Sequence, residues 1–159
     1  MFILKKVILF LLLAFSFLAC TPAETPTPET DPVSAVPILE AFYQRINTAQ
    51  SVDDLNLAWA MLSNDAQCSP IEKCELTLFQ EKWFPLQVSY KLYDCGDGEA
   101  IAEEIRFPRG ESLNSVSASP RYWKYKITAI DDVYMIDKIS LVQELADGCV
   151  LKVESQPVP

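Results

Sequence analysis

The chain has 159 residues, with 13 Lys and Arg against 22 Asp and Glu, and no histidine. That length suits one domain with appendages, large enough to bury a core without metal support, and the missing imidazole excludes Ser-His and Cys-His catalysis and most transition-metal sites. The acidity argues against nucleic acid and anionic lipid headgroups as partners, because counterion release needs clustered Lys and Arg.

Residues 1–19, MFILKKVILFLLLAFSFLA, carry Lys5 and Lys6, an apolar run over 7–18, and small Ala19 before Cys20. The apolar part is short for a bilayer-spanning helix and reads as an export signal. Without it the chain keeps 11 cations against the same 22 acids. Leu18-Ala19-Cys20 resembles the lipobox of bacterial lipoproteins, with Phe17 where that family most often has Leu. The resemblance implies that Cys20 receives a diacylglyceryl group and becomes the N-terminus after cleavage. The protein is then lipid-anchored in the bacterial cell envelope, on the extracytoplasmic side of a membrane.

Residues 20–36 add to that cysteine a Pro/Thr-rich tether with prolines at 22, 26, 28 and 32. It has too few large apolar residues to fold alone. As polyproline II, at roughly 3.1 Å per residue, it spans on the order of 50 Å. A single domain is expected over 37–154, followed by a disordered tail at 155–159.

Within the domain, Ile38, Leu39, Phe42 and Ile46 repeat at helical spacing behind Pro37, which predicts a first helix. Ser51-Val52-Asp53-Asp54 has the capping-box form and opens a second, with Leu55, Ala58, Trp59 and Leu62 as its buried stripe. Thr77 caps a third, which must stop near Phe84 because Pro85 follows. From Leu86 the period changes to two. Leu86, Val88, Tyr90 and Leu92 alternate with polar residues, Gly96-Asp97-Gly98 turns the chain, and Ile101, Ile105 and Phe107 are expected inward against Ala102, Glu104 and Arg106. After a Ser-rich loop over 110–120, RYWKYKITAI and VYMIDKISLV form a second hairpin about Asp131-Asp132, and residues 149–153 add a last short strand. Helices followed by an antiparallel sheet make an α+β plan.

The order of ILEAFYQRINTAQSVDDLNLAWAMLSNDA, a short helix ending in EKWF, and then long hairpins resembles the nuclear transport factor 2-like fold, the cone shared with ketosteroid isomerases. The resemblance implies three N-terminal helices packed on a curved antiparallel sheet, a cavity between them, and a frequent tendency to form homodimers through the sheet. It implies no reaction, because the fold hosts enzymes, binders and scaffolds alike.

Cys68, Cys74, Cys95 and Cys149 remain beside Cys20, and an even count in an exported chain reads as disulfides. Three pairings are open. Cys68 with Cys74 and Cys95 with Cys149 joins near neighbours in the proposed fold. A zinc site of four thiolates is the rival, but the spacings lack the two-residue knuckles of zinc ribbons, so neither metal nor cofactor is expected.

Strand parity places Glu103 inward with Ile101, Ile105 and Phe107, and Asp137 inward with Val133, Met135, Ile139 and Leu141. A carboxylate in an apolar cavity gains a raised pKa and can act as a base, with Trp83, Tyr90 and Tyr125 lining the same space. A single bulge reverses that parity, and no constellation assigns a catalytic residue. Arg121, Lys124 and Lys126 beside Tyr122, Trp123 and Tyr125 read as a strand with one aromatic core face and one basic face. The leading expectation is a tethered, non-catalytic binding domain for a small apolar ligand or an envelope protein. The alternatives are a carboxylate-based isomerase, dehydratase or hydrolase, and an interaction module whose interior is filled by its own side chains.

Overall fold

Leu39, Phe42, Tyr43 and Ile46 form the buried face of the first helix, α1 (Val36–Thr48), in the computed structural model, which describes residues 33–115 and 117–155. The export signal, Cys20 and the tether up to Pro32 lie outside the described residues, as do residues 156–159.

The second predicted helix is instead three short pieces. A 3-10 turn (Val52–Leu55) runs into α2 (Asn56–Trp59), and α3 (Asn64–Gln67) follows. Two features explain the break. Val52-Asp53-Asp54 is poor in helix formers, and the Asp54 carboxylate accepts from the amides of Gln50 and Ser51, both at 2.8 Å, holding the turn at its start. Farther on, the chain is drawn onto the sheet: Ile136 donates its amide to Met61 O at 2.9 Å, and Ser63 returns one to Ile136 O at 2.8 Å. Ser63 Oγ then caps α3 by accepting from Ala66 N. The next helix, α4 (Leu76–Trp83), begins one residue before Thr77 and ends with Phe84 as its cap, ahead of Pro85.

Five antiparallel strands follow: β1 (Leu86–Gly96), β2 (Glu99–Pro108), β3 (Arg121–Ile130), β4 (Val133–Val142) and β5 (Val150–Glu154), in spatial order β4-β3-β2-β1-β5. The domain is therefore α+β, with its helices against one face of an open sheet. Both hairpin turns need left-handed backbone. Asp131 and Asp132 adopt φ of 50° and 62°, which suits the short polar side chain of Asp. Gly98 has φ +71°, and a Cβ there would sit 2.9 Å from Ile127 O, so only glycine fits between the β1–β2 turn and β3.

The turns and the strand order follow the alternating pattern, whereas the assignment of faces in β2 does not. Leu92 pairs with Ala102 and Tyr90 with Glu104, so Ala100, Ala102 and Glu104 face the helices while Ile101, Glu103, Ile105 and Phe107 take the outer face. Ile101 and Phe107 are buried there, away from the main core. In β4 the register passes from Lys126↔Lys138 to Ile127↔Ile136, leaving Asp137 as the extra residue of a bulge. Ile136 is fully buried as a result, and Val133 and Leu141, expected inside, are exposed.

Cys68 is joined to Cys74, closing the loop between α3 and α4, and Cys95 to Cys149, fastening the end of β1 to the approach of β5. Ser155, expected to begin the tail, still bonds β1: its amide donates to Tyr90 O at 2.9 Å, and its hydroxyl accepts from Tyr90 N at 2.8 Å.

Candidate functional site

Between the helices and the sheet the space is filled by rings. Tyr43 stacks on Tyr90 with centroids 4.7 Å apart, and Phe42, Phe79 and Trp83 meet one another at 6.0 to 6.5 Å. Trp83, Tyr90 and Tyr125, expected to line a cavity, are all buried within this packing.

One acid enters it, and it is neither of the two expected. Glu104, 1% exposed, points from the middle of β2 toward α1. Its Oε1 accepts from Arg106 Nε at 2.8 Å and from Nη2 of the same guanidinium. Its Oε2 accepts from the Tyr43 hydroxyl at 3.1 Å. Because the Tyr43 proton is committed to Glu104, the 2.7 Å contact between the two tyrosine hydroxyls has Tyr125 donating to Tyr43. The three groups form a directed chain, Tyr125 to Tyr43 to Glu104. Burial raises the Glu104 carboxyl above the ordinary range, against the opposing pull of Arg106 and Tyr43. Both tyrosines are also held well above their usual range, first by burial and next by the charge of Glu104.

Aromatic rings flank the guanidinium of Arg106, with its carbon 4.1 Å from the Trp83 ring centroid and 5.4 Å from that of Trp123. A second ion pair lies beside the first: Lys82 Nζ is 2.6 Å from Glu72 Oε1 and 4.9 Å from the Trp83 ring centroid. Burial lowers the Lys82 ammonium, with Glu72 working against it. Glu72 is brought inside by the disulfide-closed loop from Cys68 to Cys74, and it is only 3% exposed. Three polar atoms in this assembly are buried without a hydrogen-bond partner among the described residues: Trp83 Nε1, Trp123 Nε1 and Glu72 Oε2. Glu104 and Arg106 also form the wall of a half-open cleft of about 400 Å³, completed by Ala118, Ser119, Pro120 and Arg121.

The two acids singled out from strand parity lie elsewhere. Glu103 is on the outer face of the sheet, where it accepts from the Tyr93 hydroxyl at 2.9 Å. Partial burial, with Glu103 adding to it, pushes the Tyr93 phenol up to about 12. Asp137, in the β4 bulge, accepts from Ser63 Oγ at 2.9 Å and borders a shallow cleft with Asn64 and Asp65. Neither reaches Tyr90, Tyr125 or Trp83 through a hydrogen bond among the described residues.

Glu104 and Arg106 were missed because they alternate with Ile101, Ile105 and Phe107, which parity took as the inward face, and Tyr43 because the apolar repeat of Ile38, Leu39, Phe42 and Ile46 is complete without it. One signal marks the correct face. Ala100 and Ala102 are small residues on alternate positions of β2, the side on which large helix rings can approach the strand. No protein-family model, curated protein or solved structure matches this chain.

Proposed function

We propose that this chain is an exported lipoprotein of the bacterial envelope, anchored through Cys20, whose domain binds a ligand at the Arg106 cleft without transforming it. The observation that carries the reading is the Arg106 guanidinium, which forms a wall of the cleft while the rings of Trp83 and Trp123 pack on it. Two of its nitrogens serve Glu104, and the remaining N–H donors of a guanidinium suit the oxygens of a ligand. The ligand is then one that carries oxygen acceptors, rather than the small apolar molecule expected for an open cone.

The absence of turnover is supported by the state of Glu104. Both its oxygens are engaged, by Arg106 and by Tyr43, so the carboxylate is held in an ion pair and a hydrogen-bond chain of the protein's own side chains. The nuclear transport factor 2-like cone belongs to the same proposal. An antiparallel sheet with helices on one face and bulges in β1, β4 and the β1–β5 pairing supports it, and the ring-filled interior is its departure from an open cone.

Native mass spectrometry of the full chain, purified from membranes in detergent, tests the binding. The expected result is a small non-protein mass that leaves on denaturation and is absent from Arg106→Ala, with the change reported by Trp83 and Trp123 fluorescence. A bare chain whose tryptophan emission does not respond to envelope extracts argues against it. The anchor is tested separately: Cys20→Ala should abolish lipid labelling, and unchanged labelling rejects it.

A further inference from the structure

Lys124 and Lys126 on β3 meet Lys138 of β4 on the outer face of the sheet. Across β2, β3 and β4 the register aligns Glu99, Lys126 and Lys138 in one row, and Ile101, Lys124 and Ser140 in the row beside it. Trp123 and Tyr125, which alternate with these lysines, are buried on the helix side, so the lysines project the other way. Glu99, Lys124, Lys126, Lys138 and Ser140 together line a cleft of about 260 Å³. The reading of the chain as lacking clustered cations is corrected here. Pairing of strands, which spacing along the chain does not reveal, adds Lys138 to Lys124 and Lys126, so that three of the 11 cations beyond residue 32 share one place.

Two features mark this cluster as more than a solvated strand face. Lys126 and Lys138 stand directly opposite each other across β3 and β4, an arrangement of like charges that disfavours the pairing it sits on. One carboxylate answers two of the three ammonium groups. Glu99 lies 2.6 Å from Lys124 and 4.0 Å from Lys126, and Lys138 makes no ion pair among the described residues. An acidic chain that places Lys126 and Lys138 face to face, with Glu99 near the first and no ion pair at the second among the described residues, keeps a site that a bound anion would complete. We propose that this cleft binds a phosphate group. Lys126 and Lys138 meet its oxygens as point charges, Lys124 exchanges part of its contact with Glu99 for the anion, and the Ser140 hydroxyl serves as a further donor. The site is separate from the Arg106 cleft, which lies on the helix side, and does not depend on the reading of that cleft.

The phosphate can belong to a soluble monoester or to a lipid headgroup, and lysine acetylation footprinting on the full chain separates the two. The chain is placed in nanodiscs of phosphatidylcholine or phosphatidylglycerol, with phenyl phosphate or chloride at matched ionic strength. Exposed Lys73 and Lys152 serve as internal references. The expected result is severalfold slower acetylation of Lys124, Lys126 and Lys138 relative to the references. Protection by phenyl phosphate in both lipids identifies a soluble ligand, whereas protection in phosphatidylglycerol alone identifies a headgroup. Ratios to the references at Lys124, Lys126 and Lys138 that stay the same with phenyl phosphate as with chloride, in both lipids, and in phosphatidylglycerol as in phosphatidylcholine, overturn the proposal.

Lys138→Glu supplies a second, independent readout. It converts a like-charge pair into an opposite-charge pair, so the variant should melt at or above the parent temperature in chloride. It should also lose the upward shift that phenyl phosphate gives the parent, since a ligand that binds only the folded state stabilises it. A variant that keeps that shift also overturns the proposal.

Discussion

Tyr43 donates its hydroxyl proton to Glu104 across 3.1 Å, and this bond ties the first helix to the middle of the sheet where both side chains are out of water. Tyr125 donates to Tyr43 in turn at 2.7 Å, so removing one oxygen unsatisfies two groups. Tyr43→Phe should therefore cost about 1–3 kcal/mol of stability, the penalty for a buried polar group left without its partner. Tyr125→Phe removes only the end of the chain and should cost less. Chemical denaturation of both variants compares them, and equal losses would contradict the direction of donation assigned here.

The pH response of Glu104 follows from the direction of its shift. Its folded-state pKa lies above the unfolded one, so the unfolded chain gives up this proton more readily. The penalty for the charged form is present at neutral pH and is relieved as pH falls through the folded value toward the unfolded one, about 4.3. Asp54 has the opposite sign. Amide hydrogen bonds from Ser51 and Gln50 hold its carboxyl below the ordinary range, so its contribution is complete above the unfolded pKa and is lost as pH falls through the folded one. Glu104→Gln should cost about 2–3 kcal/mol at neutral pH, somewhat less than for a fully buried pair because Arg106 is partly open to water. Thermal melts from pH 7 downward should show the parent gaining on Glu104→Gln as pH falls. A constant difference between them rejects the assigned shift.

Arg109 acts as a clamp where three elements meet. Its guanidinium donates to the carbonyls of Ile46, Asn47, Phe84 and Leu86 at 2.9 to 3.0 Å, joining the C-terminal end of α1, the cap of α4 and the first residue of β1. Lysine carries the charge but not the planar fork. Arg109→Lys should lose about 2–4 kcal/mol, with amide exchange accelerated first near Asn47 and Val88, whose mutual hydrogen bonds at 2.8 Å depend on the same junction. Unchanged stability would show that the clamp is redundant.

The two disulfides should differ in weight. Cys95–Cys149 closes a separation of 54 residues and Cys68–Cys74 one of 6. On the chain-entropy model these correspond to about 4 and about 2 kcal/mol. Replacing Cys68 and Cys74 together by serine should also disturb Glu72, the buried partner of Lys82, and so alter Trp83 fluorescence. Replacing Cys95 and Cys149 should lower the melting temperature more and leave that fluorescence in place until unfolding.

Much of the architecture could be read in advance because its signals are local. Pro37 and Pro85 bound helical segments, Gly98 and the Asp131-Asp132 pair carry turn chemistry, and the change of period at Leu86 separates helices from strands. The candidate site could not be read that way. In β2 apolar residues occupy both faces, since Ile101 and Phe107 are buried outside and Ala100 and Ala102 inside, so alternation alone does not say which side meets the helices. In β4 the bulge at Asp137 shifts the face of every residue beyond it.

The sequence by itself determined the α+β order of elements, the turns, and the four cysteines available for cross-linking, because each depends on the conformational preferences of a few adjacent residues. Only the tertiary structure decided that Glu104 rather than Glu103 is the buried acid, that Tyr43 and Arg106 engage it, and that Lys124, Lys126 and Lys138 share a cleft. The physical reason is that register is fixed by packing between segments far apart in the chain, and a step of one residue exchanges the two faces of a strand.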